Sequence, residues 1–478
     1  NRSEILNEQE LKRIEQDLKQ PIEGKQEQQK NIIQRQETDV LFLSSVREGR
    51  NDNELRKRII SSGVVESLLI IFNTRDLNSI TRTYSLAFFH LTNPSSDEVK
   101  LLIAEKKPYP GLIRLLVHTD DDIVNDSISS IFLILQTGSN TTPESDPHPH
   151  YESLQESDGI KKIFALFHKN GSRYNRDRSA LCIGYLFRAR EITDPIMRQE
   201  IINHLKSLLS DENAWLKDTA KWRLKYLAQN STNRSEILNE NELKRIKQDL
   251  KQSIVGTQEQ LKNITQRQET DFLLLSSVLD GREDNELRKR IISSRIVENL
   301  LLIFTYRNFN LITRIYSETF IDITNPSSDE IKLLIAKKKP YPGLIRLLEH
   351  PVDFIASYTI ISIFNIQFSG SSTTPESDSH PHYETIQQCD GIKKIFALFQ
   401  KNGSKFSRDR SALCIGYLFK AREISDPIMR QEIINHLKSL LNDSDTLVKG
   451  RAKDALKYLS QNAVNKTDIE TEGFTIPK

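Results

Sequence analysis

The chain has 478 residues, enough for two to four domains of ordinary size. Apolar residues make up 37% and charged residues 28%, which argues for folded globular material rather than a disordered tract. Only 17 glycines and 16 prolines favour long regular elements over a loop-rich β architecture, and a net charge of +2 gives no global field aimed at nucleic acid or an anionic surface.

Read from the start, the pattern is helical. Asn7 and Glu10 have capping-box spacing ahead of Leu11, Ile14 and Leu18, which share one helical face. Pro21 ends that helix. A Gln-rich stretch leads into VLFLSSV at 40–46. Ser95-Ser96-Asp97-Glu98 is a further helix start. After Asp120-Asp121-Asp122, the residues Val124, Ile128, Ile131, Phe132 and Leu135 form one continuous apolar stripe. The three aspartates fit a helix N-terminus better than a metal cluster, and the later copy of this segment keeps only Asp353.

That later copy begins at Asn233. NRSEILNEQELKRIEQDLKQ from Asn1 returns as NRSEILNENELKRIKQDLKQ, and the offset of 232 residues holds without a gap through Pro108/Pro340, Asp158/Asp390, Met197/Met429 and His204/His436. Two copies are therefore expected, residues 1–232 and 233–464, with a flexible tail over 465–478 that frays from Asn462 onward.

A shorter period runs inside each copy. Apolar segments start at Gly63, Gly111 and Gly159, 48 residues apart, and a fourth follows 43 residues later at Ile202. An amphipathic helix follows each: SITRTYSLAFFHL, DIVNDSISSIFLIL, RDRSALCIGYLF and WLKDTAKWRLKYLA. GLIRLLVHTDDDIVNDSISSIFLIL resembles the armadillo/HEAT pattern, in which a short apolar helix and an acidic turn precede a longer helix. The resemblance covers about residues 50–230 and 282–462. It implies an all-α fold, an armadillo-like right-handed superhelical solenoid of two- and three-helix repeats in two tandem arrays. It also implies a concave face as the partner site. Gly63 becomes Arg295 in the second copy, so a tight turn there is not obligatory on this reading. The chain has only Trp215 and Trp222, with Leu447 and Asp454 in their places later. It therefore carries no ladder of Trp and Asn like that of nuclear-import armadillo proteins.

The expected function is a non-catalytic scaffold for a protein or peptide partner. The alternative is an RNA-binding solenoid, motivated by ELRKRII and AKKKPY and opposed by the near-neutral charge. Residues 176–209 and 408–441 are nearly identical, and their Arg and Tyr residues are the candidate contacts: Arg176, Arg178, Tyr185 and Arg190, with Arg408, Arg410, Tyr417 and Arg422. Leu133 and Leu135 become Asn365 and Gln367, so one helix face changes its surroundings between copies.

Other signals read as structural. His148 and His150 beside Asp146 lack a second ligand pair for a metal. Thr142-Pro143 and Thr374-Pro375 sit in a polar segment where a phosphate could attach. Cys182, Cys389 and Cys414 form no CxxC pair, so buried thiols in a reducing compartment are expected. No phosphate loop, GxGxxG, GxSxG or HExxH occurs, so no catalytic residue, cofactor or metal is assigned. No apolar run reaches the ~18 residues of a membrane span, and no signal peptide opens the chain. The expectation is a monomeric, intracellular, cytoplasmic protein, although Asn1 in place of Met leaves a processed N-terminus open.

Overall fold

The computed structural model describes residues 6–47, 52–169, 171–252, 255–401 and 403–477; the opening Asn1–Ile5 of the first repeat lies outside them. Every regular element among these residues is a helix. The chain divides into two compact units, Asn1–Ile237 and Leu238–Lys478.

In unit 1 the helices are α1 (Glu8–Lys19), α2 (Gln26–Arg47), α3 (Asn53–Ser61), α4 (Val64–Thr74), α5 (Arg82–Thr92), α6 (Asp97–Glu105) and α7 (Tyr109–Leu115). They continue as α8 (Asp121–Asn140), α9 (Tyr151–Glu156), α10 (Gly159–His168), α11 (Arg173–Leu186), α12 (Pro195–Leu208), α13 (Ala214–Leu227) and α14 (Ser231–Ile237). Helices α2, α5, α8, α11 and α13 pack in succession as one layer, and α1, α4, α7 and α10 pack in succession as the other. Each helix is covered by the next of its own layer and by a partner across the layers. This is an all-α solenoid, and the Gln-rich α1 and α2 extend both of its layers.

Unit 2 repeats the series: α15 (Glu240–Leu250), α16 (Gln258–Leu279), α17 (Asn285–Ser293), α18 (Ile296–Tyr306), α19 (Arg314–Thr324), α20 (Asp329–Ala336) and α21 (Tyr341–Leu347). Then come α22 (Asp353–Ser372), α23 (Tyr383–Gln388), α24 (Gly391–Gln400), α25 (Lys405–Leu418), α26 (Pro427–Leu440), α27 (Thr446–Leu459) and α28 (Ala463–Ile469). Helices α16, α19, α22, α25 and α27 form its long-helix layer.

The sequence signals locate the helix starts. Asn7 accepts the Glu10 N–H at 2.9 Å, and Asn239 accepts the Glu242 N–H at 3.0 Å. Asp120 accepts the Asp122 N–H at 2.9 Å, and Asp122 pairs with Arg82 at 2.6 Å, so these acids serve a helix cap and an ion pair. The stripe of Val124, Ile128, Ile131, Phe132 and Leu135 is buried throughout.

Two expectations need correction. The turn before α4 is required in both copies: Gly63 has φ +88° and Arg295 has φ +70°. Arg295 adopts the same left-handed conformation at a steric cost, because the two helices it joins, α17 and α18, pack against each other as α3 and α4 do. The tail is also not free from Asn462. Residues Ala463–Ile469 form α28, the counterpart of α14, with Asn465 and Ile469 fully buried. Asn233 accepts the Ile192 N–H at 3.1 Å and donates to Arg190 O at 2.9 Å. Asn465 does the same with Ile424 N–H at 3.1 Å and Arg422 O at 2.8 Å. The two helices share the capping Asn230 and Asn462, the buried Asn and the buried Ile, while their other residues diverge, so the tail sequence concealed the closure.

Two outcomes check these corrections. Asn465→Ala is expected to lose about 1–3 kcal/mol, read as faster hydrogen exchange at the Ile424 amide it leaves unpaired. Arg295→Gly is expected to stabilise unit 2 by about 0.5–1 kcal/mol, while Gly63→Arg destabilises unit 1 by about 1 kcal/mol, both read by amide exchange in the adjoining helices.

Candidate partner-binding site

The long-helix layer of unit 1 carries its most unusual surface where α11 meets α13. Gly184 makes this meeting close: a Cβ there would lie 2.7 Å from Arg223 Cβ. Arg223 therefore lies flat across α11, with its guanidinium 3.3 Å from the centre of the Tyr185 ring and 5.2 Å from that of Tyr226. It is 4% exposed, its Nε has no hydrogen-bond partner, and no carboxylate pairs with it among the described residues. Burial pushes its pKa down, and burial pushes the Tyr185 phenol up to about 12, so the ring stays neutral. Around this centre is a pocket of about 330 Å³ lined by Gln136, Trp215, Asp218, Trp222 and Tyr226 among others.

The rim is aromatic and exposed. Trp215 and Trp222 are each 45% exposed, and Tyr174 is 42% exposed. Arg178 sits among three rings, 4.4 Å from Phe132, 4.5 Å from Trp215 and 5.1 Å from Tyr174. Lys225 lies 4.7 Å over Trp222 and pairs with Glu144 at 3.2 Å.

The eight residues singled out from sequence do not form one site. Arg178 and Tyr185 share the α11–α13 face, but Tyr185 is 2% exposed and acts as the floor beneath Arg223. Arg176 points elsewhere. It stacks over Phe167 and lines a separate polar cleft of about 540 Å³ with Asp177, His204 and Asp211. Arg190 follows α11, stacks 4.0 Å over Tyr151 and pairs with Glu152 at 3.1 Å. In unit 2, Arg408 lies over Phe399, and Arg422 lies over Tyr383 and pairs with Glu384. Arg410 stacks on Phe364 and Phe406, while Tyr417 is fully buried and donates to Asp454 at 3.4 Å.

Sequence reading missed Arg223, and the copies show why it matters. Ala455 stands in its place, Asp454 replaces Trp222 and Leu447 replaces Trp215. Phe368 replaces Gln136, and the Arg451 guanidinium covers its ring at 3.5 Å. On the neighbouring helices, Asp122 and Asp126 of unit 1 become Phe354 and Tyr358, with Arg314 over Phe354 at 3.8 Å. The change at Leu135 is internal: Gln367 is fully buried in the same position, not on a surface.

The remaining signals are spent inside the fold. His148 is 3% exposed and donates from Nε2 to Leu135 O at 2.8 Å, and burial holds its pKa down at about 3. Thr142 donates to Gly138 O at 2.8 Å and accepts from the buried Arg188, which also donates to Asp146 O at 2.7 Å. Lys420 replaces Arg188 and holds Thr374 in the same way. A phosphate on either threonine would have to displace these contacts. Of the basic run ELRKRII, Arg56 is buried on His90 O and Lys57 pairs with Glu54 and Glu98. In the second copy's AKKKPY segment, Lys338 pairs with Glu298 at 2.6 Å. The three cysteines are free thiols, and Cys182 and Cys414 are buried. Among the described residues no group of three or more His, Cys, Asp or Glu could hold a metal ion, and no helix is long and apolar enough to cross a membrane.

No protein-family model and no curated protein matches this chain. Among solved structures, a crystal structure described as that of an engineered protein, a target of the Northeast Structural Genomics Consortium, is similar at 15% identity with a TM-score of 0.60. The match covers 94% of this chain and 98% of that one. At that identity the likeness shows the helical fold alone.

Gly184→Ala is expected to force Arg223 off Tyr185 and cost about 1–3 kcal/mol. Because Trp215 and Trp222 are the only tryptophans of the chain, a shift in intrinsic fluorescence at an unchanged helical signal is the expected readout.

Proposed function

We propose that this chain is an armadillo/HEAT-type repeat protein, a non-catalytic scaffold that binds a protein partner in extended form along its long-helix layer. On that reading each array is a right-handed superhelix, and the layer of α2, α5, α8, α11 and α13 is its concave face. One observation carries the reading: Tyr174 and Trp215 stand exposed around Arg178 on adjacent helices of one layer, and the exposed Trp222 lines the neighbouring pocket with Trp215. Large rings are kept from water in most folds, and Trp, Tyr and Arg dominate binding hot spots. Helical layers offer such a surface because each turn presents a side chain at a fixed spacing.

The RNA alternative draws less support, since Arg56, Lys57 and Lys338 of the segments that motivated it are engaged by internal carbonyls and carboxylates. The test is an affinity capture with the full chain beside the triple variant Arg178→Ala, Trp215→Ala, Trp222→Ala. A reproducible protein partner is expected, with recovery reduced about tenfold or more in the variant at an unchanged circular dichroism spectrum. Equal recovery by both proteins would remove this face from the reading. Recovery of RNA with a steep salt dependence would favour the alternative.

A further inference from the structure

The buried Arg223 of unit 1 has no carboxylate paired with it among the described residues, and its Nε lacks a hydrogen-bond partner. A guanidinium removed from water costs free energy unless an anion joins it. The Tyr185 and Tyr226 rings and a hydrogen bond to the Tyr226 hydroxyl offset part of that cost, but neither residue brings a carboxylate. Asp218 on the rim is exposed and makes no ion pair with Arg223 among the described residues. A guanidinium stacked on a ring directs its edge N–H groups away from the stack, where a carboxylate accepts them in a fork. The Arg223 Nε–H is such a donor without a partner. One buried cation matches one carboxylate charge. A phosphate dianion would need a second cation, yet Lys225 is paired with Glu144 and Arg178 is enclosed by three rings.

Resting on the reading of this layer as the partner face, we propose that the Arg223 pocket is a carboxylate subsite. It takes a Glu or Asp side chain from an extended acidic segment of a protein partner. Unit 2 has no equivalent: Ala455 supplies no cation, and Phe368, covered by the Arg451 guanidinium, occupies the position of Gln136. The subsite thus belongs to unit 1 alone, and the duplication does not double this binding event.

The test uses the full chain and a random dodecapeptide library displayed on phage, followed by titration of synthetic enriched peptides. Both tryptophans line this pocket, so intrinsic fluorescence reports its occupation. The expected result is a set of peptides sharing an acid that changes this fluorescence saturably. Replacing that Glu by Gln should weaken binding about tenfold to a hundredfold on the wild type, and by less than about threefold on Arg223→Gln. Trp222→Asp, which introduces the unit 2 residue at an exposed position, should weaken binding about tenfold without changing the circular dichroism spectrum. Peptides that lose binding on Trp215→Ala but carry no shared acid would overturn the carboxylate subsite and leave the partner face standing. Enrichment of nothing, or of peptides that leave the fluorescence unchanged, would overturn both. A phosphoserine peptide binding about tenfold tighter than its Glu counterpart would replace the carboxylate with phosphate.

Discussion

Burial of each long helix by its neighbours is the constraint on which the molecule rests. No single helix here can hide its own apolar stripe. Ile128, Ile131 and Phe132 of α8 are dry only because α5 lies on one side and α11 on the other. Stability of this kind is passed along the array, so the chemistry of the layer's outward edge is free to vary as long as the spacing between helices is kept. Gly184 and Gly416 keep that spacing at the α11–α13 and α25–α27 contacts, one against Arg223 and one against Ala455. The same close approach thus supports a buried cation in one unit and a methyl group in the other.

The copies differ by redistribution of charge and rings over a shared frame. Unit 1 places acids on α8 and an Arg–Trp–Tyr cluster on α11 and α13. Unit 2 places Phe354 and Tyr358 on α22 and an Arg451–Phe368 stack beside Tyr417. The polar cleft between the other helices changes much less: His204 meets Asp177 at 2.8 Å, and His436 meets Asp409 at 2.8 Å. Near-identity of residues 176–209 and 408–441 therefore reflects, in part, helix-to-helix contacts that both units need.

Helical class and most helix starts were legible because they are local. A stripe at 3.6-residue spacing, a capping Asn or Asp and a helix-ending Pro each act within a few residues. The site was less legible because it depends on residues far apart in the chain. In WLKDTAKWRLKYLA, Arg223 reads as one base among several; its burial is decided by Gly184 on the preceding long helix. Tyr185 looked like a contact residue by type, yet that same packing turned it into a floor. The one available hint was the exchange of Trp215 and Trp222 for Leu447 and Asp454, which in the sequence spoke only against a Trp and Asn ladder and did not reveal the cation beside them. Backbone strain hid in the same way, since Arg295 gives no sign of a left-handed turn until its helices are placed.

The closing asparagines carry a consequence for how such a chain can be cut or lengthened. The sequence repeat restarts at Asn233, but that residue belongs to the helix that seals unit 1. Period and module are therefore out of register. A fragment trimmed at the sequence boundary loses its seal, and the piece that follows gains a helix with nothing to close. Concatenation works only if the junction is moved past Ile237 or, for a further copy, past Ile469, where the seal is already in place.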